Sequence, residues 1–196
     1  MNGVGADVAR VLAGVEAAQE AGLPIKINSV IKKSVNQQEV LPLATFAREN
    51  GIHLRFIEFM DVGETNQWSL KEVLPAHEIV ELLDQEYGVI PELRPEGAVA
   101  EEFLYRDGRG KVGIIRSVSQ PFCHDCTRLR LSAQGKLYGC LFASSGTDLK
   151  GTLRAGATTS DLEGLLRGFW SRRTDRYSEL RGKVTQKKIE MSYIGG

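Results

Sequence analysis

The strongest constraint on this chain is the order of its periodicities: helical spacing and strand alternation take turns up to Pro91, where the pattern stops. From Val8 to Ala21 the apolar positions Val8, Leu12, Val15 and Ala18 recur at helical spacing, and Gly22 marks a stop. Pro24 leads into Ile25 to Ile31, whose alternation of β-branched residues predicts a strand. A helix capped by Asn36 is expected next, with Val40, Leu43, Ala44 and Ala47 inward and an end at Asn50-Gly51. His53 to Met60 predicts a second strand, closed by Gly63, and this order of elements implies parallel β/α units. Pro75 to Tyr87 adds a helix that buries Ile79, Val80, Leu82 and Leu83. The run opens without a strand of its own, and a closed barrel takes about eight such units. The expectation is therefore an open sheet or a piece of something larger.

Beyond Pro91, Pro95 and Gly97 the punctuation becomes dense. Glu102 to Arg106, Gly113 to Val118, Thr127 to Ser132 and Lys136 to Phe142 predict short antiparallel strands around turns at Asp107-Gly108 and Gln134-Gly135. Helices are expected over Asp148 to Leu153 and Ser160 to Arg173, before a basic stretch and the terminal Ile194-Gly195-Gly196. Two domains follow from this change of character, 1–100 and 101–196.

Charge divides along the same line. The 25 basic and 25 acidic residues cancel. Residues 1–105, however, hold 8 basic and 17 acidic side chains, and residues 106–196 the reverse. An anionic ligand is expected to meet mainly the second half. The three cysteines, odd in number and confined to residues 123–140, argue against a disulfide framework. With no apolar run long enough to span a bilayer and no basic segment leading into a signal core, the chain is expected to be cytoplasmic.

Those cysteines carry the chemistry. Cys123 and Cys126 form a C-x-x-C pair on one loop, and the turn at Gln134-Gly135 is expected to bring Cys140 back beside them. Three readings compete. The thiols are small buried hydrophobes, or they hold zinc, for which a fourth closed ligand is lacking. Alternatively they hold a [4Fe–4S] cluster with one iron left open for a ligand. If Thr127 to Leu131 is a strand, Arg128 and Arg130 share one face while Leu129 and Leu131 fill the core, and the two guanidiniums suit a phosphate or carboxylate.

The run FCHDCTRLRLSAQGKLYGCLF resembles the second cluster motif of the GTP 3′,8-cyclase family of molybdenum cofactor biosynthesis. The segments VLAGVEAAQEAGLPIKIN, RFIEFM with MDVGETN, and the closing Gly195-Gly196 resemble the same family in order. The implied fold class is α/β: a fragment of a partial (β/α) TIM-like barrel, then a C-terminal α+β region with antiparallel strands carrying an Fe–S cluster motif. Residues 1–100 would be the last barrel units and 101–196 the auxiliary-cluster and GTP-binding region. The family's N-terminal C-x-x-x-C-x-x-C motif does not occur in these residues, so the resemblance implies the C-terminal three-fifths of the enzyme.

By resemblance, Cys123, Cys126 and Cys140 hold the second [4Fe–4S] cluster, and Lys26, Arg128, Leu129 and Arg130 contact GTP. Met60 lines the S-adenosylmethionine site, and Gly195-Gly196 form a tail entering the active site. No residue stands out as a catalytic acid or base. The implied reaction is radical: a first [4Fe–4S] cluster, held by the absent motif, cleaves S-adenosylmethionine, the resulting radical takes hydrogen from C3′ of GTP, and C3′ closes onto C8. The product, 3′,8-cyclo-7,8-dihydro-GTP, would pass to cyclic pyranopterin monophosphate synthase. The family implies a homodimer, with no nucleic acid or membrane as partner, and this fragment is expected to be inactive alone. Two alternatives remain. One is a zinc-stabilised module for nucleic acid or protein, supported by the basic run 167–188 with Trp170 and Tyr177 interleaved. The other is a radical enzyme with an auxiliary cluster and a different substrate.

Overall fold

The computed structural model describes all residues except 1–4, 6, 64–65, 184–188 and 195–196. The chain divides into two units, each built from several passes of the backbone. The first comprises residues 1–57, 74–94 and 100–115; the second comprises 58–73, 95–99 and 116–196.

In the first unit, α1 (Val8–Glu20) starts where the Asp7 side chain accepts from the Ala9 N–H. It ends ahead of Gly22, which takes a left-handed φ of 70°. The predicted helix is there, but it buries little: Val8 and Leu12 are exposed, and Val15 packs against the core. β1 (Lys26–Ile31) follows. Asn36 does not cap the long helix as expected. Its side chain accepts from Lys32 N (2.8 Å) and donates to Val30 O (3.0 Å), closing the single turn α2 (Lys33–Asn36). A 3-10 turn over Gln37–Glu39 intervenes before α3 (Val40–Glu49), which buries Val40, Ala44 and Ala47 and leaves Leu43 half-buried. β2 (His53–Glu58) is two residues shorter than predicted. α4 (Ala76–Tyr87) buries Ala76, Ile79 and Leu83, with Val80 and Leu82 at the margin.

β3 (Val89–Pro91), β4 (Glu101–Tyr105) and β5 (Lys111–Ile115) complete one five-stranded sheet in the order β1-β2-β5-β4-β3. β2 and β5 run parallel, with Leu54 opposite Val112 and Phe56 opposite Ile114, whereas β3-β4 and β4-β5 are antiparallel. The first two strands expected after residue 100 thus join the sheet of the preceding β/α elements, making it mixed. One face of the sheet packs Leu54, Phe56, Phe103, Val112 and Ile114 with the buried sides of α3 and α4. Alternation along β2 turns His53 and Arg55 the other way. There Glu102 receives both, His53 Nε2 at 2.7 Å and Arg55 Nη2 at 2.9 Å.

The second unit is held differently. Glu58 is buried and accepts from the N–H groups of Val118 (2.7 Å) and Ser119 (2.8 Å). Asp61, also buried, accepts from Tyr177 OH (2.6 Å) and Arg181 Nε (2.8 Å). A three-stranded antiparallel sheet contains β6 (Arg130–Leu131), β7 (Lys136–Tyr138) and β8 (Thr147–Asp148). The turn between β6 and β7 places Gly135 at φ 77°, and a Cβ there would lie 2.5 Å from Lys150 Cβ, so glycine is required twice over. α5 (Leu149–Arg154) is capped by Asp148, and α6 (Thr159–Ser171) by a Thr158–Asp161 capping box.

Candidate functional site

The C-x-x-C loop closes on itself, the Cys126 N–H donating to the Cys123 carbonyl (3.2 Å). The predicted strand from Thr127 to Ser132 shrinks to Arg130–Leu131, because the chain leaving this loop has no ladder partner before Arg130 meets Tyr138. Arg128 and Arg130 therefore do not share a strand face, and the expected burial is reversed. Leu129 and Leu131 are 39% and 56% exposed, while Arg130 turns inward. Its guanidinium lies within electrostatic range of Cys126 and Cys140, and its Nε is enclosed with no hydrogen-bond partner among the described residues. Burial, then repulsion from Arg128, lowers its pKa.

Arg128 doubles back onto the loop. Its Nε and Nη2 donate to Cys126 Sγ at 3.3 and 3.2 Å, and its guanidinium lies 5.2 Å from the Phe122 ring centre. The strand expected to run to Phe142 ends at Tyr138, so Cys140 sits in a bend whose carbonyl accepts from Ala143 N–H (3.2 Å). Phe142 stacks on Tyr177 with ring centres 4.4 Å apart, which ties that bend to the Asp61 network.

The three thiols are free and electrostatically coupled. Burial would raise the Cys126 thiol, but the Arg128 backbone N–H and the Arg173 and Arg128 side chains outweigh it and hold the pKa low. Cys140 is pushed up, first by burial, with Asp175 and the other two sulfurs adding to the effect. Among the described residues no three His, Cys, Asp or Glu side chains converge tightly enough to hold a single metal ion. His124, the histidine beside the pair, is engaged with Asp125 (3.2 Å) and Glu179 (3.5 Å). The donor chemistry nevertheless suits an iron–sulfur cluster: three soft sulfurs, one favoured as thiolate, with guanidiniums around them to offset negative charge. Two recesses of ≈ 280 and ≈ 260 Å³ open beside the sulfurs, one lined by Cys140, the other by Cys123 and Cys126, and both by Asp175 and Arg176.

The other predicted residues belong to other elements. Lys26 is exposed on β1 in the first unit, on the polar sheet face near His53. Met60 is half-buried just past β2, its carbonyl accepting from Asn66 Nδ2 (2.9 Å). Gly195 and Gly196 fall outside the described residues. Sequence reasoning missed Arg173 and Asp175. The basic run around them was the only signal, and it pointed toward nucleic acid instead.

This arrangement, a cysteine-bearing α/β chain with a basic thiol loop, corresponds to a recognised class. The family model for Molybdenum Cofactor Synthesis C matches residues 52–179, and the chain belongs to that family. A GTP 3′,8-cyclase of Acidothermus cellulolyticus is 46% identical over 216 aligned residues, covering 95% of this chain and 59% of the relative. The GTP 3′,8-cyclases of Synechococcus sp. WH7803 and Aquifex aeolicus are 44% and 45% identical, covering 96% and 91% of this chain. The chain spans 54–59% of the length of these three relatives.

Proposed function

We propose that this chain forms the C-terminal part of a GTP 3′,8-cyclase and supplies its GTP-binding surface and second [4Fe–4S] cluster in the first step of molybdenum cofactor biosynthesis. The observation that carries this reading is Arg128 bonded to Cys126 Sγ, with Arg130, its Nε enclosed, within electrostatic range of Cys126 and Cys140. Cys123, Cys126 and Cys140 hold the cluster, which when bound supplies an iron with an open position for the guanine of GTP. Arg128 and Arg130 neutralise the triphosphate, and the Leu129 backbone runs between them. Lys26 adds a cation from β1, Met60 lines the S-adenosylmethionine site, and Gly195-Gly196 allow close backbone approach to substrate.

In this reading residues 1–100 are the last β/α units of a partial barrel and 101–196 the cluster region. The whole enzyme is a cytoplasmic homodimer that passes its product to cyclic pyranopterin monophosphate synthase. Turnover requires the first cluster and its C-x-x-x-C-x-x-C motif, so the 196-residue chain binds GTP without converting it. Anaerobic iron–sulfide reconstitution tests the proposal. About four irons per chain, with a paramagnetic resonance spectrum that GTP perturbs, is the expected result. Tight stoichiometric zinc with no response to GTP overturns it.

A further inference from the structure

Arg173 and Asp175 touch both halves of the thiol set. Arg173 Nη1 donates to the Cys126 carbonyl (2.5 Å), and its Nε pairs with Asp175 Oδ2 at 3.3 Å. The Arg173 side chain is 9% exposed, and its guanidinium lies over the Trp170 ring, 4.9 Å from the ring centre. On the other side stands Gly139, the residue before Cys140. A Cβ built there would lie 2.5 Å from Asp175 Oδ2 and 3.5 Å from Arg173 Cδ, so the pair occupies the space a side chain would need. The same two residues thus abut the Cys123–Cys126 loop and the Gly139–Cys140 bend, whose nearest cysteines have 13 residues between them.

We infer that the Arg173–Asp175 pair is a spacer between the C-x-x-C loop and the Cys140 bend, holding the thiols at the separation that the cluster requires. The cluster half of this statement rests on the function proposed above; the spacing half stands without it. Arginine suits the role because one planar fork serves a carbonyl and a carboxylate at once, which a lysine does less well. Asp175 also lines one recess together with Cys140.

The test uses the 196-residue chain and its Asp175→Ala, Asp175→Asn, Arg173→Lys and Gly139→Ala variants, each checked for native circular dichroism. In the metal-free chain, diamide oxidises two thiols to a disulfide and is itself reduced to the hydrazine by the two electrons and two protons released. Peptide mass spectrometry then reports the rate of Cys126–Cys140 bridging. A disulfide draws the two Cβ atoms to about 3.8 Å, so removing the spacer should speed bridging several-fold in Asp175→Ala. Asp175→Asn, which keeps the volume, should stay closer to the parent chain, and Gly139→Ala should resemble Asp175→Ala. In the reconstituted chain, Asp175→Ala and Arg173→Lys should retain iron against a chelator about 10–100-fold less well, as happens when outer partners of metal ligands are lost. Equal bridging rates in folded parent and Asp175→Ala chains overturn the spacer. If the parent takes up no iron while Asp175→Ala still bridges faster, the cluster reading fails and the spacer stands. If Asp175→Ala does not fold, the rates of Asp175→Asn and Gly139→Ala decide between the same outcomes.

Discussion

The two units solve the same problem by different means. The first buries a continuous apolar layer: Leu54, Phe56, Val112 and Ile114 on the sheet, Val40, Ala44, Ile79 and Leu83 on the helices. Each large side chain fully buried in such a layer contributes about 1.5–3 kcal/mol. In the second unit the strands are short, two or three residues each. Every buried polar or charged residue found among the described residues, Glu58, Asp61, Ser117 and Ser132, belongs to it. An apolar layer tolerates exchange among side chains of similar volume. A buried carboxylate tolerates no loss of its partners. The unit that carries the thiols is therefore the one whose geometry is specified by directional bonds, which suits a site needing fixed sulfur positions.

Both tryptophans, Trp68 and Trp170, lie in the second unit, so tryptophan fluorescence follows that unit while far-ultraviolet circular dichroism follows both. The largest effect is expected from Asp61→Ala. It leaves the side chain of Arg181, 9% exposed, without its carboxylate and should lower stability by about 3–5 kcal/mol, read as an early fluorescence transition in urea. Replacing Asp61 and Arg181 together with leucine and methionine should recover much of that loss. If the double replacement is as damaging as the single one, directional specification by charge is the wrong description of this unit.

Leu83→Ala comes next, at about 2–5 kcal/mol, since Leu83 is fully buried in the apolar layer of the first unit. Its mark should be an early circular-dichroism transition with the fluorescence transition less displaced. Coincident shifts of both would break the distinction between the units.

The smallest effect is set by pH. Burial pushes His53 below its ordinary value, against the pull of Glu102. Burial also raises Glu102, but the hydrogen bonds of His53 and Arg55 outweigh it and hold the carboxyl low. Both folded values are depressed, so both contributions are complete above the unfolded values of 6.5 and 4.5 and fade as pH falls through and below each. Acidification should weaken the first unit in two steps, His53 first. Glu102→Gln should remove the lower step, as followed by urea midpoints across pH; an unchanged profile in that variant would assign the acid loss elsewhere.

The apolar layer was legible in the sequence because its signal is periodic: Val40, Ala44 and Ala47, or Ile79 and Leu83, recur at the spacing that buries them. The cysteines were legible because their spacing and type are local. Arg128 and Arg130 were picked out as residues, but their orientations were not. Alternation predicts leucine inward and arginine outward, and the half-buried thiols reverse it by giving Arg130 an electrostatic reason to face in. Arg173 and Asp61 act through bonds to partners far along the chain, and Asp175 packs against distant Gly139; no periodicity records such contacts. The Asn36 side chain likewise preferred a local turn to the cap that its residue type suggested.

The second unit also keeps a timetable. Asp61 meets Tyr177 and Arg181 across 116 and 120 residues of chain. At a synthesis rate of roughly 5–20 residues per second, Asp61 is translated roughly 6–24 s before those partners. The apolar layer of the first unit is closed by β5, whose last residue is Ile115, and so can be assembled before Tyr177 and Arg181 are translated. During that interval Glu58 and Asp61 remain hydrated, and the cysteines emerge into a unit that has not yet shut. Any metal delivered during synthesis would meet the three sulfurs and Arg128 before Arg173 and Asp175 have arrived.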